Sequence, residues 1–235
     1  MKLLPGTSGF SYREWKGPFY PEKLPAKQML GYYSSQLPTV EVNNTFYRMP
    51  KPEVMARWAE EVPDHFVFVV KASQRITHRA KLVDAEEAVG YLWTTVGSLG
   101  PHLGPILFQL PPWFRKDLEV LRDFLAGLPD GLRAVFEFRH ETWADPAVHT
   151  VLADHGAALC VADTEAAEAP AAIEPTAPFG YLRLRRPDYD TAALASWAER
   201  IAAQPWDQAF AFFKHEDQGA APRMALALAE QFAAG

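Results

Sequence analysis

The chain has 235 residues, of which 49% are hydrophobic and 22% are charged, and its formal net charge is −6. This composition excludes a disordered tail protein, and the single cysteine, Cys160, excludes an intrachain disulfide and a multi-cysteine zinc site. No apolar run reaches the roughly 18 residues that a membrane-spanning helix needs, so we expect a cytoplasmic protein without a membrane partner.

Short apolar runs alternate with longer amphipathic stretches along the chain. The apolar runs are rich in Val, Ile, Leu and Phe and are bounded by Gly, Pro or charged residues, which is typical of buried parallel strands. They predict strands at 2–7, 39–43, 66–71, 106–110, 134–139, 158–162, 180–184 and 209–214. The stretches between them predict helices at 25–37, 51–61, 84–99, 116–127, 145–155, 188–203 and 220–233. Asp84 and Glu87 are placed to form a capping box at the third helix.

Eight strands separated by helices predict an α/β fold, the (β/α)8 TIM barrel, as a single domain over residues 1–235. A doubly wound open sheet is the alternative, but no G-x-G-x-x-G motif follows the first strand. Only the sixth strand lacks a following helix. The Ala- and Pro-rich segment 165–178 stands in that place and predicts a loop or a broken helix.

Polar side chains mark the carboxyl ends of the predicted strands, where the active sites of TIM barrels form. The candidate catalytic residues at these ends are Glu41, Glu137 and Lys71. The candidate ligand-binding residues there are Ser8, Asn43, Gln109, Arg139, Asp163, Arg183 and Lys214. We predict that one cleft brings together Glu41, Lys71, Gln109, Glu137, Arg139, Asp163 and Arg183.

Side-chain alternation indicates how these polar groups are satisfied. A period of two places Glu41 and Asn43 on one face, and Glu137 and Arg139 on another. Inward-facing polar groups are costly unless they pair with each other or bind a ligand. A structural ion pair between Glu41 and Lys71 would satisfy two of them without a ligand.

The loops after the strands carry many aromatic side chains. They are Phe10, Tyr12, Trp15, Phe19, Tyr20, Phe46, Tyr47, Trp113, Phe114 and Trp143. An aromatic rim around a polar mouth suits stacking on sugar rings or bases, so Tyr12, Trp15 and Trp143 are further ligand-binding candidates. The alternative is that these rings pack the loops against the top of the barrel.

Four blocks of sequence resemble the YecE-like family, domain of unknown function 72. The blocks are GTSGFSYREW (6–15), EVNNTFY (41–47), LGPILFQLPPWF (103–114) and EFRHETW (137–143). The resemblance extends to Lys71, Thr77, His78, Asp163 and the YLR run at 181–183. It implies a TIM-barrel fold and no particular reaction.

The chain departs from this family pattern at its last two strands. The family usually shows Arg-x-His-Gly after the seventh strand, whereas Arg183 is followed by Leu184, Arg185 and Arg186. After the eighth strand, Lys214, His215, Glu216 and Asp217 replace an Asn-Asn-Asp-like run. Basic groups therefore stand where the family pattern has a histidine and an asparagine.

The charges at the strand ends favour an anionic ligand. TIM barrels often bind phosphate after strands seven and eight, where Arg183, Arg185 and Lys214 lie, and arginine suits bidentate contact with phosphate or carboxylate. We therefore predict a hydrolase- or lyase-like enzyme that acts on a small anionic molecule, phosphorylated or sugar-containing. Glu41 or Glu137 would be the acid–base group, with cationic side chains as electrostatic stabilisers.

Three other interpretations stay open. Glu41 and Glu137 would serve a two-carboxylate glycoside hydrolase, although Arg139 beside Glu137 would lower its pKa. A metal-dependent phosphoesterase would hold Zn²⁺ or Mn²⁺ with His78, His140 and His215, but no close spacing such as H-x-H occurs, so the sequence requires no metal or other cofactor. A non-catalytic barrel would bind a nucleotide, a nucleic acid or a protein, and the net charge disfavours nucleic acid. The sequence leaves the oligomeric state open.

Overall fold

The computed structural model describes residues 1–165, 170–214 and 217–235. Eight parallel strands close into one barrel in chain order. They are β1 (Lys2–Ser8), β2 (Thr39–Val42), β3 (Val67–Lys71), β4 (Leu103–Gln109), β5 (Ala134–Glu137), β6 (Ala158–Asp163), β7 (Phe179–Leu184) and β8 (Gln208–Phe213). The barrel closes where β1 pairs with β8, in register from Lys2 opposite Gln208 to Thr7 opposite Phe213.

Helices on the outside follow every strand except β6 in the described parts of the chain, and crossovers of this kind let parallel strands pair. Within the described parts of the chain, the α-helices are α1 (Met29–Gln36), α2 (Pro52–Glu60), α3 (Glu86–Val96), α4 (Leu118–Ala126), α5 (Pro146–Asp154), α6 (Thr191–Ala202) and α7 (Ala220–Ala234). The described residues between β6 and β7 contain no helix, and residues 166–169 of the segment predicted as a loop or a broken helix lie outside the described residues. The predicted TIM barrel is confirmed.

The predicted cap of the third helix is wrong. Helix α3 begins after Ala85, and no side chain caps it. The chain enters it through positive φ angles at Lys81, Leu82 and Asp84, and this backbone path carries Asp84 away from the capping position. No helix among the described residues combines the length and the apolar character needed to cross a bilayer.

Two hydrophobic cores separate the inside of the barrel from its helical coat. The inner core is filled by alternate residues of the strands: Leu4, Val69, Leu107, Val135, Ala158, Cys160, Phe179, Tyr181, Phe210 and Phe212. The outer core packs the other strand faces against the helices. Because side chains fill the interior, the barrel is not a pore, and a ligand site forms above this plug, at the carboxyl ends of the strands.

Candidate functional site

One guanidinium joins the two buried glutamates at the top of the barrel. Arg183, on β7, donates from Nη2 to Glu41 Oε1 at 2.8 Å and from Nη1 to Glu137 Oε2 at 2.6 Å. None of the three side chains is more than 4% exposed. Charge-assisted hydrogen bonds are short and directional, so Arg183 fixes both carboxylates and is fixed by them.

Glu41 also accepts hydrogen bonds from three neutral donors. They are Ser8 Oγ at 2.8 Å, Asn43 Nδ2 at 2.9 Å and Tyr181 OH at 2.6 Å. Burial alone would raise the pKa of Glu41, but the charge of Arg183 and these hydrogen bonds outweigh burial and lower it. Glu41 is therefore ionised, and its carboxylate accepts four hydrogen bonds.

Glu137 is held by arginines on its other side as well. Arg139 Nε donates to Glu137 Oε1 at 3.0 Å, and Arg185 Nη1 lies 3.9 Å from the same oxygen. Burial opposes ionisation, but Arg183 and Arg139 lower the pKa of Glu137 to about 2. A carboxylate with so low a pKa is a poor general acid near neutral pH.

Lys71, at the end of β3, lies beside this network without joining it. Its Nζ donates to Gln109 Oε1 at 2.7 Å and lies 4.1 Å from the centre of the Phe46 ring. The Glu41–Lys71 ion pair considered from the sequence does not form, because Glu41 is paired with Arg183. Burial, and then the charge of Arg183, lower the pKa of Lys71 to about 8.

A pocket of about 460 Å³ opens above these groups. Its lining is Ser8, Tyr12, Asn43, Phe46, Tyr47, Lys71, His78, Gln109, Arg139, Arg183, Arg185 and Lys214. Five of the lining residues are lysine or arginine, and no carboxylate belongs to the described lining. The two glutamates lie beneath it and are engaged with arginines. The pocket, which we call the mouth, is therefore basic on an acidic protein.

Six of the seven residues predicted to converge do so, and Asp163 does not. Ala158 and Cys160 point into the barrel, so alternation along β6 turns Asp163 outward. Its carboxylate accepts from Arg186 Nε at 2.9 Å, Arg186 Nη2 at 3.1 Å and Tyr189 OH at 2.8 Å. The structure thus places Asp163 outside the mouth, in an ion pair on the outer face of the barrel.

The aromatic candidates divide in the same way. Tyr12 lines the mouth. Trp15 is buried against Tyr12, with ring centres 4.7 Å apart, and belongs to the outer core. Trp143 is buried as well, stacked on Phe138 at 4.3 Å. Both tryptophans pack loops against the barrel top, which corrects their expected position on the rim.

Sequence reasoning missed the role of Tyr181. Tyr181 lies on the same face of β7 as Arg183, so alternation offered a signal for its contact with Glu41. Phe46 and Tyr47 come from the turn after β2. Both belong to the predicted aromatic rim, and nothing in the sequence distinguishes them from the two tryptophans that lie away from the mouth.

The histidines do not assemble a metal centre in the part of the chain that the structure describes. No group of three or more His, Cys, Asp or Glu side chains there is placed to hold a metal ion. His78 Nδ1 lies 2.9 Å from Thr77 Oγ1, and His140 Nδ1 lies 3.0 Å from Thr142 Oγ1. His215, the third candidate ligand, lies outside the described residues.

Comparison with known proteins places the chain in a family. The family described as "Protein of unknown function DUF72" matches residues 4–235. The UPF0759 protein YecE of Escherichia coli K12 is 37% identical over 109 residues, which are 46% of this chain and 40% of that protein. The UPF0759 protein YunF of Bacillus subtilis 168 is 31% identical over 136 residues, 54% of this chain and 48% of that protein. The chain thus matches about half the length of these curated relatives or less.

A solved structure shares the fold over the whole chain. A DUF72 family protein from Thermotoga maritima superposes with a TM-score of 0.85 at 23% sequence identity, and the match covers 99% of this chain and 100% of that one. Together with the family match over residues 4–235, this confirms the family that the four sequence blocks predicted. The chain belongs to the DUF72, YecE-like family.

Proposed function

We propose that the mouth binds a small anionic molecule, phosphorylated or sugar-containing, and that the protein is a hydrolase- or lyase-like enzyme acting on it. The observation that carries the proposal is the charge of the lining: five lysines and arginines face the pocket, while its two carboxylates lie buried below. An arginine held on its inner side by a carboxylate is pre-organised for an anion on its outer side.

Arg139 and Arg185 are the best-placed anion contacts. Among the described residues, Arg139 engages Glu137 through Nε, which leaves its terminal nitrogens for a ligand. Arg185 is partly exposed and lies at the long distance of 3.9 Å from Glu137. Arg183, whose terminal nitrogens both bind glutamates, holds the base of the pocket instead.

The ionisation of the side chains supports a division of roles. Glu41 and Glu137 have lowered pKa values and act as positioning residues for the arginines. Lys71, with a pKa of about 8, is the group that can exchange a proton near neutral pH. A two-carboxylate glycosidase needs one of its acids protonated, so the bridging of Glu41 and Glu137 by Arg183 argues against that alternative.

A non-catalytic nucleotide-binding barrel is the second candidate. Tyr47 is 76% exposed at the edge of the basic pocket, and a free aromatic face beside cations suits stacking on a base. Turnover of a bound ligand separates the two candidates, since only the enzyme consumes it.

A thermal-shift comparison of matched ligands tests the anion site. Glucose 6-phosphate, AMP and inorganic phosphate should raise the melting temperature, whereas glucose and adenosine should not. The double variant R139A/R185A should lose the response. The control R57A/R122A removes the same charge from exposed positions outside the mouth, and its melting temperature should still rise with the phosphate ligands. Equal responses to the neutral ligands, or equal loss in both variants, would contradict the proposal.

A further inference from the structure

Lys71 is the one cation in the mouth whose described polar partner is a neutral amide, Gln109. We infer that Lys71 is a nucleophile that forms an imine with the carbonyl group of an anionic aldehyde or ketone bound in the mouth. This inference rests on the anion site proposed above and adds to it a substrate class, the carbonyl-bearing phosphates and carboxylates.

The first support is the distribution of charge around Nζ. The charged neighbours of Lys71 are Arg183, Arg139, Glu41 and Glu137, and both glutamates are already paired with Arg183. No described carboxylate lies within ion-pair distance of Nζ. A lysine that is desolvated beside other cations loses its proton readily, and the neutral amine is the nucleophile.

The lowered pKa sets the fraction of Lys71 that is neutral. With a pKa of about 8, roughly a fifth of Lys71 is neutral at pH 7.4. For a lysine with the ordinary pKa of 10.5, the neutral fraction would be roughly one in a thousand. The supply of nucleophile at neutral pH is thus about two hundred times larger than on an ordinary surface lysine.

The second support is the way in which Nζ is held. Gln109 accepts one of its hydrogen bonds at 2.7 Å, and the buried ring of Phe46 covers one side at 4.1 Å. Lys71 nevertheless lines the mouth, so an approaching carbonyl carbon can reach the nitrogen. The two contacts fix the position of Nζ at the edge of the pocket.

A proton acceptor lies on the same aromatic ring. His78 packs edge-on against Phe46, with ring centres 4.9 Å apart, and it lines the mouth with Lys71. Burial, Lys71 and Arg139 lower the pKa of His78, so its imidazole is neutral near pH 7 and can take a proton. We assign His78 to proton transfer during imine formation.

The step balances without a redox partner. The neutral amine of Lys71 attacks the carbonyl carbon, a C–N bond forms, and the carbonyl electron pair moves to oxygen. The nitrogen passes one proton to His78, which delivers it to that oxygen to give a carbinolamine. The hydroxyl then takes a second proton and leaves as water while the nitrogen lone pair forms C=N, and the resulting iminium gives up its N–H proton to replace the one consumed. One amine and one carbonyl thus give one imine and one water.

Reductive trapping tests the inference directly. The protein is incubated with glyoxylate, pyruvate or dihydroxyacetone phosphate and sodium cyanoborohydride, and the adducts are located by peptide mass mapping. We expect one dominant adduct, on Lys71, formed at least tenfold faster than at Lys214, the other lysine of the mouth. K23M, at an exposed lysine outside the mouth, should label normally, whereas K71R, which keeps the charge and lacks the amine, should not. H78N should slow labelling without moving its site.

The outcomes separate this inference from the anion site on which it rests. Adducts spread over surface lysines, or equal labelling of K71R, overturn the nucleophile. If phosphate still raises the melting temperature in that case, the anion site stands alone. If acetone labels Lys71 as fast as pyruvate does and phosphate has no effect, the nucleophile stands and the anion site falls.

Discussion

Arg183 Nη2 lies 2.8 Å from Glu41 Oε1 in a part of the barrel where both side chains are closed to water. Removing two charges from water is expensive, and a buried pair repays the cost only when further hydrogen bonds complete it. Here Glu41 accepts further hydrogen bonds from Tyr181, Ser8 and Asn43, and the other terminal nitrogen of the guanidinium donates to Glu137. The network thus fixes the floor of the mouth in one arrangement.

Removing Arg183 should destabilise the barrel strongly. R183M leaves two buried carboxylates without their shared cation, and we expect a loss of about 3–5 kcal/mol in the free energy of unfolding, measured by urea titration. The control R57A breaks a largely exposed pair with Glu61 and should cost under about 1 kcal/mol. The triple variant R183M/E41Q/E137Q should recover part of the loss. Wild-type stability of R183M would contradict a buried, ionised network.

Acid should weaken the fold through the same carboxylates. The folded pKa of Glu137 is about 2, below its ordinary value of 4.5, and the pKa of Glu41 is lowered too. The unfolded chain therefore binds more protons, so the stabilisation is complete above about pH 4.5 and is lost as the pH falls toward 2. For Glu137 it amounts to roughly 3 kcal/mol. Urea titrations between pH 6 and 3 should show this slope, and E137Q should flatten it; an unchanged slope would contradict the assignment.

The strand pattern predicted most of the fold because its signals are local. Buried parallel strands are apolar throughout, and the predicted strands and helices overlap the observed ones. The predicted boundaries were wrong at two places. Strand β4 begins at Leu103 rather than at 106, and Asp84, which has a positive φ, does not cap α3. The order of apolar and polar side chains reveals neither the additional backbone pairs at the start of β4 nor a residue with a positive φ.

The positions of the mouth residues were predictable where they follow from the alternation of side chains along a strand. A period of two correctly placed Glu41 with Asn43 and Glu137 with Arg139, and the same count applied to β6 would have turned Asp163 outward. The bridging of two glutamates by one arginine depends on three strands that are far apart in sequence. Which carboxylate takes which cation is settled only by the closure of the barrel.

A close approach on the outer face of the barrel gives a test of the fold itself. A Cβ on Gly180 would lie 2.3 Å from the indole of Trp206, so G180A should overpack β7 and cost about 1–3 kcal/mol or more. Gly90, in the middle of α3, has no atom within 4 Å of such a Cβ. G90A should therefore stabilise the protein by up to about 1 kcal/mol, since alanine favours helices. Thermal unfolding of the two variants compares them, and equal effects would contradict the packing at Trp206.

Removing the amine of Lys71 should make the protein more stable at neutral pH. Burial lowers its folded pKa to about 8 from 10.5, so the protonated form is disfavoured in the folded state. This penalty is present below about pH 8 and disappears as the pH rises to about 10.5, because the unfolded chain holds more protons in that range. K71M should gain about 1–2 kcal/mol at pH 7, after allowance for partial exposure and the lost bond to Gln109. Urea titrations should show the gain vanishing near pH 10.5. The variant K23M, at an exposed lysine outside the mouth, should match the wild type at both pH values. A K71M protein that is less stable than the wild type at pH 7 would mean that Lys71 is a structural cation, and the case for a reactive amine in the mouth would fall with it.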